Sequence, residues 1–178
     1  SYYLAAKGIK IQSINKNWYK DYSEFSIGCN IFGYKPKEHN IILRKLKKSP
    51  PLTTLLSPEE PYLAEDLNRF LNTNKLWRFT RGGGEALSLA IRFARSITKT
   101  DKVLVCGYHG WHDWYLATNI SSKNNLNQAF LKGLDPIGVP KNLAESTFTP
   151  TNLDKDSIEK ILLKEKIKII VIEAARYE

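Results

Sequence analysis

The amino-acid sequence predicts an α/β protein: the first half of a mostly parallel sheet with helices on both faces, preceded by a small α+β portion. Two short runs composed mainly of apolar residues, at residues 103–106 and 167–173, are typical of buried strands. A segment with helical periodicity precedes each run, at residues 85–97 and 154–166. Helices that alternate with fully apolar strands indicate a parallel sheet that is buried on both sides.

The portion before this sheet is predicted to begin with strands and a short helix. Residues 7–27 have a strand-like composition on both sides of an Asn-Lys-Asn turn at residues 15–17. A helix should follow Pro36, because apolar residues between Ile41 and Leu46 share one helical face. These elements make up the predicted α+β portion.

A proline-containing break divides the chain into two predicted domains. The Ser-Pro-Pro sequence at residues 49–51 should end the first helix. We therefore predict that residues 1–50 belong to a small domain. Residues 51–178 would then form the first half of a larger domain.

The helix after this break is predicted from its capping signals. Ser57 and Glu60 have the spacing of a capping box, and Pro58 suits the first helical position. An apolar stripe runs along this helix and consists of Tyr62, Leu63, Leu67, Phe70 and Leu71.

Composition narrows the class of protein and its partners. The formal charge is +9, but the lysines are dispersed among Glu, Asp and Asn, so we expect no nucleic-acid partner. No apolar stretch approaches a membrane-spanning length and the first ten residues lack a signal-peptide core, which predicts a cytoplasmic protein without membrane contact. Cys29 and Cys106 form no CxxC pair, and we expect buried free thiols in a reducing compartment.

Residues 80–95, TRGGGEALSLAIRFAR, place three glycines directly before a helical run. Gly82, Gly83 and Gly84 could form only a tight turn, since glycine adopts backbone angles that other residues resist. Alternatively, they allow an anion to approach the unsatisfied N–H groups and the positive end of the helix dipole. The run has neither GxGxxG nor P-loop spacing, so no dinucleotide or P-loop site is predicted. These residues alone leave both interpretations open.

Three candidate site residues follow the ends of the two predicted strands. Tyr108 and His109 come just after the first strand, and Glu173 ends the second. Ligands of parallel α/β sheets bind at the carboxyl ends of the strands, and the glycine run can belong to the same rim. The Tyr108 ring could stack on a flat heteroaromatic ligand whose anionic tail occupies the glycine turn.

Residues 106–116, CGYHGWHDWYL, also raise the question of a metal site. His109, His112 and Asp113 are potential ligands, but they come from one short segment and no compelling fourth ligand occurs elsewhere. A structural alternative is a hydrophobic cluster of the aromatic residues under a loop. We therefore predict no metal.

Several segments resemble those of one enzyme family, in order and spacing. GGGEALSLAIRFAR, DKVLVCGYHGWHD and IIVIEA are similar to the SGTEA…AIRLAR, YHGxxD and (V/I)xEP segments of class III (fold-type I) pyridoxal-phosphate-dependent aminotransferases. FSIGCNIFGYKP resembles the small-domain segment that precedes them. GYHGWHDWYLATN and GLDPIGVPKNL look closest to the branch containing glutamate-1-semialdehyde aminomutase, and within it to relatives from bacterial surface-polysaccharide biosynthesis.

This resemblance implies pyridoxal 5′-phosphate as the cofactor and gives five residues a role. Gly83 and Gly84 would present backbone N–H groups to its phosphate. Tyr108 would stack on the pyridine ring, His109 would lie beside it, and Glu173 would lie near the ring substituents. The family also implies a homodimer that uses a small-molecule amino donor and acceptor.

The chain departs from the family pattern at several points. Three plain glycines replace the usual Ser/Thr-bearing turn, which removes a hydroxyl contact to phosphate, and Ala174 stands where proline normally follows the glutamate. The family's pyridine-pairing aspartate and Schiff-base lysine come later than Glu178. We therefore expect no catalytic residue here and interpret the chain as the N-terminal part of a longer enzyme. The sequence contains no methionine, even at position 1, so we do not expect residue 1 to be the start of translation.

These observations favour a class III transaminase that transfers an amino group between an amino donor and an oxo acceptor, in surface-polysaccharide or related biosynthesis. An aminomutase such as glutamate-1-semialdehyde 2,1-aminomutase, which moves the amino group within one substrate, is an alternative. A second alternative is a catalytically dead binding protein of the same fold. A third alternative is a nucleic-acid-binding module.

Overall fold

The computed structural model describes residues 2–23, 28, 30–48, 54–55, 57–121, 135–150 and 152–173. The chain forms two compact units, residues 1–75 and 76–178, which are described one after the other. Antiparallel strands and two helices make up the first unit, and a parallel sheet with helices makes up the second. The predicted α/β class with a small N-terminal portion is confirmed.

The first unit contains an antiparallel sheet in the order β1-β2-β3. Its strands are β1 (Tyr3–Lys7), β2 (Lys10–Ser13) and β3 (Trp18–Lys20). The predicted turn joins β2 to β3, and Lys16 adopts a positive φ of 65° there. Strand β1 begins before the predicted strand region. This beginning was not predicted because the sequence of the strand, YLAAK, has no polar–apolar alternation to indicate a strand.

The described residues of the first unit also form two helices, α1 (Glu38–Leu46) and α2 (Glu59–Leu71). Helix α1 confirms the helix predicted after Pro36. Helix α2 begins one residue later than its capping signals predicted, so Pro58 precedes the first helical residue. The Ser57 hydroxyl hydrogen bonds to the Glu59 carboxylate and accepts the Glu59 N–H at 3.3 Å, instead of forming the capping box with Glu60. The predicted break at residues 49–51 lies outside the described residues.

The apolar stripe of α2 is not buried by the described part of the chain. Tyr62, Leu63, Phe70 and Leu71 are exposed and Leu67 is half-buried. Helix α2 belongs to the first compact unit, which consists of residues 1–75. The assignment of domains to residues 1–50 and 51–178 stays a prediction.

The second unit has a parallel sheet in the order β5-β4-β6. Its elements in chain order are α3 (Gly83–Thr98), β4 (Val103–Cys106), α4 (Asp113–Leu116), α5 (Thr118–Ser121), a 3₁₀ turn (Lys141–Leu143), β5 (Thr147–Phe148), α6 (Lys155–Glu165) and β6 (Ile169–Ile172). Val103 pairs with Thr147 on one side and with Ile169 on the other. Strand β4 is therefore the central strand of the described sheet.

Strand β4 is buried on both faces, as its continuous apolar sequence predicted. Val103 and Val105 pack in one cluster with Ile91 of α3. Leu104 and Cys106 point the other way, into a cluster with Ile158, Ile161 and Leu162 of α6. Burial raises the pKa of the Cys106 thiol, which confirms the expected buried free thiol at this position. Cys29 lies outside the described residues.

An ion pair ties α6 to the start of β4. The Lys102 ammonium lies 2.9 Å from the Glu165 carboxylate and 5.2 Å from the centre of the Phe148 ring. The hydrogen bond from Lys102 is the main cause that holds the pKa of Glu165 below its ordinary value of 4.5.

Among the helices of the described residues, none combines the length and the apolar character that a membrane-spanning helix needs.

We expect Glu165→Gln to lower the thermal midpoint at neutral pH, because it removes the charge that pairs with Lys102. A carboxyl with a lowered folded-state pKa stabilises the fold fully above its unfolded value and loses this contribution as pH falls through the folded value. The difference from wild type should therefore be full above pH 4.5 and vanish in more acidic solution. Thermal unfolding across a pH series measures it.

Glu159→Gln on the same helix is the matched control for this prediction. Glu159 lies 3.6 Å from Lys155, and both side chains are well exposed. Exposed i,i+4 pairs contribute little to stability. Equal effects of the two substitutions, or a Glu165→Gln effect that persists in acid, would contradict the assigned ion pair.

Candidate functional site

The carboxyl ends of β4 and β6 meet at Gly107 and Glu173. The Glu173 N–H donates to the Cys106 carbonyl at 2.9 Å, which continues the sheet pairing past both strands. Gly107 has a φ of 111°, and a Cβ built on it would lie 2.7 Å from the Glu173 Cβ and 2.8 Å from Oε2. Only glycine allows this backbone to pass so close to the carboxylate. The predicted site residue Glu173 thus lies directly against the turn that carries Tyr108.

The glycine run forms the start of α3. Gly82 is extended, with φ −152° and ψ 158°, and the helix begins at Gly83. The Glu85 carboxylate accepts the Arg81 N–H at 3.0 Å, so it is engaged before the first turn. The N–H groups of Gly83 and Gly84 lie in the first turn, where helix geometry provides no acceptor. A Cβ on Gly82 or Gly83 would meet nothing within 4 Å, so space is open beside this turn.

The glycine turn touches the loop that follows β4. A Cβ built on Gly84 would lie 2.2 Å from Nε2 and 2.7 Å from Cδ2 of His112. A Cβ on Gly110 would lie 3.8 Å from the Gly84 Cα. The loop after β4 and the first turn of α3 are therefore in close contact, which the missing side chains of Gly84 and Gly110 allow.

Tyr108 and His109 have opposite surroundings. Tyr108 is 49% exposed, and its ring lies edge-to-face on Tyr115 with centroids 6.2 Å apart. His109 is only 7% exposed, and its Nε2 lies 3.1 Å from the Cys106 carbonyl. Because a carbonyl only accepts, this nitrogen carries the proton. The Tyr115 hydroxyl donates to the Gly107 carbonyl at 2.9 Å, and this buried hydrogen bond helps to fix the turn that carries Tyr108.

A second hydrogen-bonded link connects the loop to α3. The buried Trp114 indole donates to the Ser88 hydroxyl at 3.1 Å, and that hydroxyl donates to the Gly84 carbonyl at 2.9 Å. Sequence analysis missed Ser88, Trp114 and Tyr115 as support for the site. The spacing of four between Gly84 and Ser88 was the available signal, since a helical Ser commonly bonds the carbonyl four residues back.

The three potential metal ligands in this loop diverge. His109 turns inward to the Cys106 carbonyl, whereas His112 lies on Gly84 and Asp113 is exposed. Across the described residues, no three His, Cys, Asp or Glu side chains form a group that could hold a metal ion.

We expect Gly84→Ala to destabilise the protein by about 1–3 kcal/mol, because the new methyl group collides with the His112 ring. In a His112→Ala background the same substitution should be nearly neutral or stabilising, since alanine favours a helix over glycine. A double-mutant cycle on the free energy of unfolding measures this coupling. Strictly additive effects would mean that the His112 ring does not occupy the position described.

Comparison with known proteins identifies relatives along most of the chain, although no family model matches it. It is 32% identical over 176 residues to a glutamate-1-semialdehyde 2,1-aminomutase from Methanosphaera stadtmanae, which covers 95% of this chain and 39% of the relative. A 3-aminobutyryl-CoA aminotransferase from Cloacimonas acidaminovorans is 27% identical over 157 residues, or 88% of this chain and 34% of that protein. The chain thus spans about two fifths of the length of the curated relatives that it matches.

Solved structures share the fold of this chain. An omega-transaminase from Sphaerobacter thermophilus superposes with a TM-score of 0.78 at 21% identity, over 97% of this chain and 40% of that one. A glutamate-1-semialdehyde aminomutase from Pseudomonas aeruginosa gives 0.69 at 21% identity, over 94% and 36%. The sequence relatives confirm the predicted resemblance to this enzyme family, and the solved structures confirm its fold. The chain belongs to the class III family of pyridoxal-phosphate-dependent aminotransferases, in the branch related to glutamate-1-semialdehyde aminomutases.

Proposed function

We propose that the protein containing this chain is a pyridoxal-phosphate-dependent transaminase, which transfers an amino group from a small-molecule donor to an oxo acceptor. One observation carries the proposal. The open glycine turn, the half-exposed Tyr108 ring and the Glu173 carboxylate lie around a single turn at the carboxyl edge of a parallel sheet. This edge is where α/β sheets bind their ligands.

The first turn of α3 suits the phosphate of pyridoxal 5′-phosphate. The N–H groups of Gly83 and Gly84 and the positive end of the helix dipole attract an anion, and glycine allows its close approach. Space beside Gly83 is open to receive it. Among the structural neighbours, one is described as a transaminase with PLP bound and another as an aminomutase in complex with PMP.

The remaining predicted residues suit the ring of the same cofactor. Tyr108 is half-exposed, so its ring is available for stacking on a flat ligand. His109 would lie beside the ring in a fixed orientation, because its Nε2–H donates to the Cys106 carbonyl. The Glu173 carboxylate lies over Gly107 and would face the ring substituents.

When bound, pyridoxal phosphate supplies an electron sink for carbanion chemistry at the amino-bearing carbon. The residues of this chain would bind and orient it: backbone N–H groups fix the phosphate, and Tyr108 restricts the tilt of the ring. We also propose that the protein acts as a cytoplasmic homodimer on small-molecule substrates. Surface-polysaccharide or related biosynthesis is the pathway that we favour, on the resemblance of the GYHGWHDWYLATN and GLDPIGVPKNL segments.

An intramolecular aminomutase is the second candidate, because relatives from several organisms carry the name glutamate-1-semialdehyde 2,1-aminomutase. A transaminase needs two substrates, whereas an aminomutase converts one. The test supplies the complete protein with the cofactor, first with amino donors and oxo acids in pairs and then with glutamate-1-semialdehyde alone. Amino transfer only in the presence of pairs supports the proposal, and conversion of the single substrate supports the alternative. Cofactor binding without either reaction indicates a binding protein of the same fold.

The role of Tyr108 predicts a specific loss of cofactor affinity. Tyr108→Ala removes stacking of roughly 0.5–1.5 kcal/mol and part of the buried ring area. The dissociation constant of pyridoxal phosphate in the complete protein should therefore rise by about one to two decades. Tyr108→Phe keeps the ring and should cost much less.

Melting of the apo-protein provides the control for Tyr108. Because the ring is half-exposed, Tyr108→Ala should change the apo-protein midpoint little. A variant that melts early but binds the cofactor as tightly as wild type would show that Tyr108 only stabilises the fold.

A further inference from the structure

The glycine turn has no side chain of its own with which to contact an anion. The side chain that a Cβ on Gly84 would meet is that of His112, and its Nε2 is the ring atom nearest to that position, at 2.2 Å. The Cδ2 atom is farther, at 2.7 Å, so a nitrogen-bearing edge of the ring faces the first turn of α3. This contact places a hydrogen-bonding group beside the two N–H groups that Gly83 and Gly84 present.

The His112 ring is held in this position by its neighbours. Trp111 stacks on it with centroids 5.5 Å apart and planes within 4°. The His112 carbonyl accepts the N–H groups of Tyr115 and Leu116 at 2.9 and 3.0 Å, which fixes the backbone at the start of α4. Within the described part of the chain, the imidazole nitrogens of His112 have no hydrogen-bond partner. The ring is therefore held in a defined orientation, while its nitrogens make no hydrogen bond to the described residues.

We propose that His112 is a cofactor-binding residue whose Nε2–H donates to the phosphate held at the start of α3. The inference rests on the proposed function and deepens it. An imidazole is a donor in its neutral and its protonated form, and in the protonated form it also adds positive charge beside the anion. His112 would thus take the place of a side-chain hydroxyl that the plain glycine turn does not have.

The test compares two ligands that differ only in the phosphate, pyridoxal 5′-phosphate and pyridoxal, on the complete protein. His112→Ala should weaken pyridoxal phosphate binding by about tenfold to a hundredfold, as expected for a hydrogen bond to a charged group. Pyridoxal binding should change by less than about threefold. His112→Gln restores an N–H donor near the Nε2 position and should recover most of the affinity for the phosphorylated ligand. Equilibrium titration of protein fluorescence gives both dissociation constants without a measurement of activity.

His39→Gln, on the exposed face of α1, is the matched control and should change neither dissociation constant. Equal losses for both ligands in His112→Ala, or no loss for either, would overturn the phosphate contact and leave His112 as a packing residue. If wild type binds neither ligand, the proposed function itself fails. If wild type binds pyridoxal phosphate and the ratio of the two constants is unchanged in His112→Ala, only the present inference fails.

Discussion

Two close approaches of the backbone, at Gly84 and at Gly107, hold the candidate site together. At Gly107 the chain turns with a positive φ against Glu173, and at Gly84 the first turn of α3 meets the His112 ring. Any side chain at these two positions would collide with atoms that define the site. The glycines therefore do more than provide flexibility: their missing Cβ atoms allow two strand ends and a helix start to share one small region.

The packing of β4 gives this region a fixed base. The strand lies between β5 and β6 and is buried on both faces, so its last residue, Cys106, has little freedom to move. The Cys106 carbonyl then receives two donors, the Glu173 N–H and the His109 ring. A single backbone oxygen thus couples the end of the neighbouring strand to the turn that carries Tyr108. In this way the hydrophobic core sets the geometry of the polar edge.

Sequence patterns were sufficient for the parts of the fold that depend on local periodicity and burial. The apolar runs predicted β4 and β6, and the rule that ligands bind at strand ends selected Tyr108 and Glu173. The predicted start of α2 was one residue too early. The Ser57 hydroxyl could bond to either Glu59 or Glu60, and it bonds to Glu59. The contact between Gly84 and His112 could not be predicted, since it joins residues 28 positions apart through tertiary packing. The functional roles of Gly83, Gly84, Tyr108, His109 and Glu173 stay predictions.

The two histidines of the YHGWH segment illustrate how one short loop can provide two different kinds of group. Gly110 lies between them with a positive φ of 100°. His109 is buried, and its ring nitrogen donates to the Cys106 carbonyl. The His112 ring lies against Gly84 at the start of α3. Their spacing of three would suit a shared metal on a helix, but they lie in a loop and their rings have different neighbours. One histidine is therefore committed to the backbone of the strand end, and the other is available to the ligand proposed for the first turn of α3.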